Sequence, residues 1–229
     1  MNSPVPDALT SPSPPFTPPA TRWPLPAATG AAGRPLVLGS TSRYRRELLE
    51  RLRVPFTVAP PDVDETPQAG EAPADLAQRL ALAKALAVAA TRPDAVVIGS
   101  DQVADLAGVP LGKPGSHERA VEQLSRMSGQ TVVFQTAVAV VCLETGFEQA
   151  SLAAVRVKFR DLSADEIENY LRAEQPYDCA GSAKSEGLGI ALLESIESDD
   201  PTALVGLPLI RTCRMIRAAG VNLLERSPA

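Results

Sequence analysis

One stretch of the chain, VVIGSDQV at residues 96–103, constrains the fold most strongly. An apolar run leads through Gly99 to the carboxylate of Asp101, which is typical of a buried strand that presents an acidic side chain at its carboxyl end. Ligands of open α/β sheets bind in the crevice outside such strand ends. Asp101 is therefore the first candidate for a catalytic residue. The alternative is that Ser100 and Asp101 only begin a turn, because an aspartate after an apolar run is common at strand ends.

The composition is that of an ordinary soluble globular protein. The chain has 229 residues, of which 45% are hydrophobic and 21% charged. A net charge of −5 without a basic block argues against nucleic-acid binding and against an anionic membrane partner. The three cysteines lie far apart, which fits neither a disulfide framework nor a zinc site and suggests a reducing compartment. No apolar run approaches the roughly 20 residues of a membrane span, and the N-terminus lacks a secretory signal, so we expect a cytoplasmic protein.

The first 34 residues differ from the rest of the chain. They contain nine prolines and three charged residues and show no hydrophobic periodicity. Such a segment cannot bury enough apolar surface to offset the entropy of ordering it. We therefore expect residues 1–34 to form a disordered tail, although a proline-rich segment can also serve as a ligand for a partner. Residues 35–229 are expected to form a single domain.

A potential anion site follows this tail. Residues 36–38 predict a short strand, the small residues 39–42 predict a turn, and residues 43–52 predict a helix capped by Ser42. The free N–H groups of a helix N-terminus favour an anion. Arg45 and Arg46 oppose the helix dipole in the first turn unless an anion compensates for them. The alternative is that both are exposed, solubilising side chains.

Two further segments carry charges close to the predicted sheet. After a predicted strand at residues 54–58, a proline-flanked loop contains three carboxylates, which could hold a hard cation or could simply be solvated; they belong to Asp62, Asp64 and Glu65. A long helix is predicted from Pro73 to about residue 91, and Lys84 falls at the edge of its apolar stripe. That lysine either extends outward to solvent or reaches into a cleft.

The loop at residues 108–114 carries Lys113 between glycines and prolines. It lacks the spacing and the Ser or Thr of a Walker motif, but Lys113 can still act as a point charge on a phosphate. The single histidine, His117, lies at the start of a helix predicted over residues 117–127 and is expected at the surface. One histidine excludes a Ser-His-Asp triad and a zinc site built from several histidines.

The C-terminal half predicts a β-hairpin followed by a loop of small residues. Residues 131–142 are rich in β-formers, and alternating apolar and basic residues at 155–160 indicate a returning strand with one solvated face. A capping box begins the next helix at Ser163. The glycine-rich segment 179–189 allows a ligand to approach the backbone closely; the alternative is a plain flexible loop. An amphipathic helix closes the domain at about residue 219.

The candidate functional residues are several scattered cations and two acidic sites, and no side chain is positioned as a nucleophile. This set suits phosphate-ester or anhydride chemistry on a small anionic substrate, in which protein charges and a metal stabilise the reacting phosphates. The residues by themselves do not identify a nucleotide.

Five motifs occur in order and together resemble the Maf family of nucleoside triphosphate pyrophosphatases. They are LGSTSRYRR at 38–46, PDVDE at 61–65, GSDQV at 99–103, GKP at 112–114 and GSAKSEG at 181–187. The similarity covers residues 35–224. It implies an α/β fold with an elongated, curved, mixed β-sheet flanked by helices, and two lobes around a central nucleotide cleft, as in inosine triphosphatase-like proteins. Members of the family are often dimeric, so a homodimer is one expectation.

The resemblance also implies a reaction and its residues. The family hydrolyses a nucleoside triphosphate to the monophosphate and pyrophosphate with a divalent metal, Mg²⁺ or Mn²⁺. Asp101 matches the catalytic base, and Glu65 matches its acidic partner near the metal. The positions that match the phosphate-binding polar residues are Ser40, Arg45, Lys84 and Lys113. Arg43 departs from the proline that is usual in the family, which affects the expected start of the helix.

Three positions resemble the specificity residues of the family, and here they are Tyr44, Gln102 and Glu186. An aromatic residue, Gln and Glu resemble the subgroup that prefers 7-methyl-GTP, whereas the dTTP/UTP subgroup usually has Arg, Thr and Gln. N7-methylated guanine is cationic, so an aromatic face and a carboxylate suit it. Two alternatives stay open: a dTTP/UTP pyrophosphatase, and a non-catalytic, nucleotide-binding regulator of cell division. The acidic pair argues against the regulator, because binding a triphosphate gives no reason for carboxylates beside it without a metal.

Overall fold

The computed structural model describes residues 33–224 of the chain. The disordered tail predicted for residues 1–34 falls almost entirely on residues 1–32, which lie outside the described residues. The single domain predicted for residues 35–229 stays a prediction. Among the described residues, no helix is both long enough and apolar enough to cross a membrane.

A mixed β-sheet forms the centre of residues 33–224. Its seven strands are β1 (Leu36–Gly39), β2 (Thr57–Ala59), β3 (Val96–Leu106), β4 (Val109–Leu111), β5 (Thr131–Cys142), β6 (Phe147–Phe159) and β7 (Leu193–Glu197). The strand order is β2-β1-β3-β5-β6-β7, with β4 paired to β3. β1 runs parallel to β2 and β3, whereas the remaining pairs are antiparallel. The predicted α/β class with a mixed sheet is confirmed; the two lobes and the central cleft stay predictions.

Helices cover both faces of this sheet. In the described part of the chain they are α1 (Arg43–Glu50), α2 (Pro73–Ala89), α3 (His117–Met127), α4 (Ala164–Glu174) and α5 (Leu209–Ala218). α2 packs on the face that carries Val97 and Val103, which we call the α2 face. α1 and α5 pack on the opposite face against Leu38 and Ile98, and we call it the α5 face. α3 and α4 pack around Phe134 of β5.

The two faces follow from the alternation of side chains along β3. Successive residues of a strand point to opposite faces, so Val97 and Val103 pack against α2 while Ile98 packs against α1 and α5. Gly99 lies on the α2 face, where a Cβ atom would come within 2.5 Å of the Ala85 backbone nitrogen and still closer to the Ala81 carbonyl oxygen. Only glycine therefore allows α2 to pack this closely on β3.

The structure corrects two predicted strand boundaries. Asp101 is not at the carboxyl end of its strand or in a turn, because β3 continues to Leu106. The continuation has a physical cause: antiparallel β5 pairs with β3 as far as Asp105, well beyond the end of parallel β1. The strand predicted at residues 54–58 is also wrong in extent, since β2 is confined to Thr57–Ala59. Pro55 has no N–H to donate to a ladder.

Several local predictions are confirmed. The Ser42 hydroxyl accepts from the Arg45 N–H at the start of α1, although this helix ends at Glu50 rather than at residue 52. Ser163 and Glu166 form the predicted capping box of α4. The helix over residues 117–127 and the hairpin that starts at residue 131 have the predicted bounds, but the returning strand β6 already begins at Phe147.

Candidate active site

The predicted site residues cluster around an interruption in the pairing along β3. β1 pairs with β3 only as far as Gly39 opposite Gly99, and the pairing with antiparallel β4 starts at Ala104, opposite Leu111 at the end of β4. Between these points, residues 100–103 have no strand partner on that side within the described structure, and we call this interval the β3 gap. Asp101 and Gln102 both belong to it. Because neighbouring residues of a strand face opposite ways, the β3 gap presents Asp101 to the α2 face and Gln102 to the α5 face.

Lys84 joins two carboxylates on the α2 face. Its Nζ lies 2.6 Å from Asp101 Oδ1 and 2.7 Å from Glu65 Oε1. The Lys84 and Asp101 side chains are 6% and 11% exposed, whereas the Glu65 side chain is 60% exposed, so the cluster opens to solvent on the Glu65 side. Of the two sequence alternatives for Lys84, the structure selects the inward one. The close packing at Gly99 brings the lysine within reach of Asp101.

The loop that carries Glu65 is organised by Arg79 of α2. The Arg79 guanidinium donates from Nη2 to the Thr66 carbonyl oxygen at 3.1 Å and binds the Glu71 carboxylate through both Nε and Nη2. Glu71 in turn accepts from the Gln68 N–H at 2.9 Å. The bond to Arg79 lowers the pKa of Glu71 to about 2. α2 therefore supplies both the lysine at the carboxylates and the arginine that fixes the loop after Glu65.

The charge of Glu65 depends on this cluster. Burial raises the pKa of Glu65, but the hydrogen bond and charge of Lys84 outweigh it and bring that pKa below its usual value. The charges of Lys113 and Arg45 act in the same direction. Lys113 itself is exposed on the loop before α3.

Arg45 and Ser40 lie where β1 ends. Arg45 Nε donates to the Gly206 carbonyl oxygen at 2.8 Å, and Arg45 Nη1 lies 3.5 Å from Ser40 Oγ. Burial lowers the pKa of the Arg45 guanidinium, while the charges of Asp101 and Glu65 raise it. The alternative of an exposed, solubilising Arg45 is wrong, whereas Arg46 is 63% exposed and pairs with Glu50.

The loop with Lys113 is hydrogen-bonded to the start of the glycine-rich motif and to the residues just before it. Gly181 N donates to the Gly112 carbonyl oxygen at 3.4 Å, and Gly115 N donates to the Tyr177 carbonyl oxygen at 3.0 Å. The prediction that His117 lies at the surface is wrong in part, since its ring is half-buried and contacts Tyr177 Oη at 3.0 Å. These bonds connect the Lys113 loop to the segment that follows α4.

Gln102 faces a different set of partners across the sheet. Its Nε2 lies 2.9 Å from Thr136 Oγ1 and 3.0 Å from the carbonyl oxygens of Ala203 and Leu204. The amide of Gln102 thereby holds the short 3-10 helix Ala203–Val205 against the sheet. Ser100, two residues earlier on the same face, donates to the Ala137 and Gly206 carbonyl oxygens.

Glu186 is exposed at the rim of a cavity of about 400 Å³ on the α5 face. Most of the other lining residues are apolar, and Leu204 and Val205 of the segment held by Gln102 are among them. The glycine-rich segment 179–189 contains a 3-10 helix at Ala180–Ser182. Its Lys184 pairs with Glu174 rather than with Glu186.

Tyr44, the third predicted specificity residue, lies in the first turn of α1. Its hydroxyl lies 3.3 Å from Asp178 Oδ1 and 3.6 Å from the Cys179 thiol. Burial raises the pKa of Tyr44, and it also raises that of Cys179 to about 11, with a further contribution from the charges of Asp178 and Glu186. Tyr44 and Asp178 thus both lie next to the Cys179 thiol.

Comparisons with known proteins identify the family of this chain. The family model described as Maf-like protein matches residues 35–219, which is most of the chain. The chain belongs to the Maf family. It is 77% identical over 205 residues to a 7-methyl-GTP pyrophosphatase of Polaromonas sp., covering 87% of this chain and 94% of that protein. Proteins with the same name share 72% identity in Albidiferax ferrireducens and 60% in Bordetella pertussis, covering 83% and 85% of this chain and 96% of each relative.

In this Maf-family chain, the donor chemistry is compatible with a hard divalent cation. Asp101 and Glu65 each place a carboxylate oxygen within 2.7 Å of the same lysine nitrogen, and Mg²⁺ is usually bound by one or two carboxylates together with substrate phosphates. No cluster of three or more His, Cys, Asp or Glu residues that could hold a metal occurs in residues 33–224. Of the two alternatives for the acidic loop, the structure favours solvated carboxylates for Asp62 and Asp64, which are both exposed, and Asp64 accepts a hydrogen bond from the Thr66 N–H at 2.9 Å.

Sequence reasoning missed three residues that organise the site of this Maf-family chain. Arg79 and Glu71 fix the Glu65 loop, and Asp178 contacts Tyr44. Arg79 lies on the same predicted helix as Lys84, but five residues correspond to about 1.4 turns, so the spacing does not place the two on one face. Asp178 carries no local signal, since its contact with Tyr44 joins residues 134 positions apart.

Proposed function

We propose that this protein hydrolyses 7-methyl-GTP to 7-methyl-GMP and pyrophosphate. The observation that carries the proposal is the pair of carboxylates, Asp101 and Glu65, joined by the buried Lys84 beside the Arg45 guanidinium. Two acids among several cations suit the attack of water on a phosphoric anhydride. The relatives named 7-methyl-GTP pyrophosphatase, which match along almost their whole length, support the same substrate.

Asp101 acts in this proposal as the general base. It accepts a proton from a water molecule whose oxygen attacks the α-phosphorus, and the bond from that phosphorus to the bridging oxygen of pyrophosphate breaks. Lys84 fixes the position of the Asp101 carboxylate before the nucleotide arrives. Ser40, Arg45, Lys84 and Lys113 bind the phosphate oxygens, and the cations among them neutralise the charge that develops on the leaving pyrophosphate.

Asp101 and Glu65 are also the residues that would hold a divalent cation, Mg²⁺ or Mn²⁺. When bound, such a cation supplies charge neutralisation to the phosphates and lowers the pKa of water. The exposed side of Glu65 leaves room for the nucleotide phosphates to approach. A cytoplasmic location and a homodimer stay predictions.

Tyr44, Gln102 and Glu186 recognise the base in this proposal. A methylated guanine is a planar cation, which favours the face of an aromatic ring and a nearby carboxylate. Glu186 supplies the carboxylate at a mostly apolar cavity, and Tyr44 supplies the ring. Gln102 acts by holding the segment Ala203–Val205 that lines the cavity.

The direct test is pyrophosphate release from a panel of nucleotides with Mg²⁺ or Mn²⁺: 7-methyl-GTP, GTP, dTTP, UTP and CTP. We expect the highest kcat/KM for 7-methyl-GTP and equal amounts of monophosphate and pyrophosphate as products. Preference for dTTP or UTP would overturn the assignment of the base, while the proposed hydrolysis to monophosphate and pyrophosphate would stand. Nucleotide binding without turnover of any member of the panel would contradict the enzymatic function and favour the regulator.

A further inference from the structure

An arginine of this chain already occupies the face of Tyr44. The guanidinium carbon of Arg43 lies 4.7 Å from the centre of the Tyr44 ring, and Nη2 donates to the Tyr44 hydroxyl at 2.6 Å. The same Nη2 lies 3.6 Å from Asp178 Oδ2. Arg43 stands where the family usually has proline. With Arg43 at this position, the Ser42 cap of α1 is present.

These contacts are the ones by which proteins recognise a planar cation. A guanidinium and an N7-methylated guanine are both flat, delocalised cations, and both favour an aromatic face together with a carboxylate. Arg43 makes both contacts, through Tyr44 and Asp178. Glu186, which the proposed function also assigns to the base, supplies a second carboxylate. A neutral base such as guanine gains less from this pair of carboxylates.

We propose that Asp178 is a specificity residue for the cationic base and that Arg43 is a resident cation that competes with the base for Tyr44 and Asp178. This inference rests on the proposed function, since it assigns residues to recognition of the 7-methyl-GTP base. Binding of the methylated base displaces the Arg43 guanidinium from the ring. Arg43 therefore reduces the discrimination between 7-methyl-GTP and GTP, whereas Asp178 increases it.

The measured quantity is the ratio of kcat/KM for 7-methyl-GTP to kcat/KM for GTP. The ratio is informative because loss of an arginine weakens the attraction of both triphosphates alike, and this shared effect cancels. We expect Arg43→Gln to raise the ratio about two- to fivefold, which corresponds to the usual strength of an exposed cation–π contact. Asp178→Asn is expected to lower the ratio by a similar factor.

The matched control is Arg46→Gln, which removes the same charge from the same helix at a residue that pairs with Glu50. This control is expected to leave the ratio unchanged. The double variant Arg43→Gln with Asp178→Asn is expected to lack most of the gain of Arg43→Gln, because the gain depends on a carboxylate that the base can reach.

The inference is overturned if Arg43→Gln leaves the ratio unchanged or lowers it, or if Arg46→Gln raises it equally. It is also overturned if Asp178→Asn changes kcat/KM for both nucleotides by the same factor. Failure of the proposed function looks different, because wild-type protein would then release no pyrophosphate from either nucleotide. In that case, the ratio of the dissociation constants of GMP and 7-methyl-GMP, measured with the same variants, tests the inference instead.

Discussion

The two faces of β3 differ in how firmly their functional side chains are fixed. On the α2 face, Asp101 and Lys84 are almost completely buried and joined by an ion pair of 2.6 Å. On the α5 face, Tyr44 and Glu186 are partly or fully exposed, and only Gln102 makes several internal bonds. Reacting groups benefit from positions fixed before the substrate binds. The difference indicates that chemistry and base recognition can be altered separately, although Asp101 and Gln102 are adjacent in the chain.

The largest effect is expected from Asp101→Asn. An amide cannot accept the proton from water, so we expect kcat to fall by roughly 10²- to 10⁴-fold, the usual contribution of general base catalysis. The fold should persist, because Lys84 keeps Glu65 as a partner. Steady-state release of pyrophosphate and a thermal melt measure the two properties.

Asp105→Asn is the matched control for this variant. Asp105 lies on the same strand and accepts from the Gly108 N–H in the turn before β4. An asparagine can accept the same bond, so kcat should stay within about twofold of the wild type. Near-normal kcat of Asp101→Asn would show that the side chains on the α2 face do not carry out the reaction.

Gly99→Ala tests whether the packing of α2 fixes the reacting groups. The new methyl group would overlap the Ala81 and Ala85 backbone, and we expect a loss of about 1–3 kcal/mol of stability, as for other overpacked cores. α2 would move away from β3 and carry Lys84 with it, so kcat should fall as well. Denaturant titration and kinetics at a temperature where the variant stays folded measure both effects.

Gly39→Ala provides a graded comparison for the same packing. Gly39 lies opposite Gly99 in the parallel pair, but its added Cβ would meet neighbours at 3.3–3.4 Å. Its loss of stability should therefore be smaller. Equal losses in the two variants would contradict the special role of Gly99.

Gln102→Ala sharpens the comparison on the α5 face. The variant removes an amide that is hydrogen-bonded to the Ala203 and Leu204 carbonyl oxygens. We expect the free energy of unfolding to fall by about 1–2 kcal/mol, provided that water does not replace those bonds. The segment that lines the cavity would loosen, so the KM for 7-methyl-GTP should rise more than kcat falls. A drop in kcat with an unchanged KM would instead indicate that Gln102 acts on the reaction.

The smallest effect concerns pH and the Glu65 loop. Glu71 has a pKa of about 2 because Arg79 binds its carboxylate, against a usual value of 4.5. A lowered pKa stabilises the fold fully above pH 4.5, and this contribution disappears as the pH falls from 4.5 towards 2. The difference in Tm between wild type and Glu71→Gln should thus be constant at neutral pH and shrink over that acidic range.

Glu50→Gln is the control for this pH series. Glu50 forms an exposed pair with Arg46 within α1, and such pairs contribute about 0.3–0.5 kcal/mol. Its difference in Tm from the wild type should be small throughout. If the difference for Glu71→Gln does not depend on pH, the Arg79 pair is not what fixes the loop.

Local and periodic signals predicted much of the fold and part of the site. Caps at Ser42 and Ser163 and the edge position of Lys84 follow from helix periodicity, which is encoded within a few residues. The length of β3 cannot be predicted in this way, because its second half is held by pairing with β5 residues that lie 28 to 36 positions away, from the Asp105–Val133 pair to the Asp101–Ala137 pair. For the same reason, the contact of Asp178 with Tyr44 cannot be predicted from the sequence. Asp101, Glu65, Arg45, Lys84 and Lys113 are candidates from the residues themselves. Their roles, and the choice of Ser40, Tyr44, Gln102 and Glu186, come from the family resemblance.

The most direct test of this account applies one chemical change to both faces. Glu65→Gln and Glu186→Gln each replace a carboxylate by an amide, and kcat and KM are measured with 7-methyl-GTP and GTP. The account predicts that Glu65→Gln lowers kcat at least tenfold for both nucleotides with an unchanged ratio of kcat/KM. It predicts that Glu186→Gln lowers that ratio severalfold and retains kcat for GTP. If both variants change kcat and the ratio of kcat/KM in the same way, reaction and base recognition are not separated between the two faces of β3, and the account is contradicted.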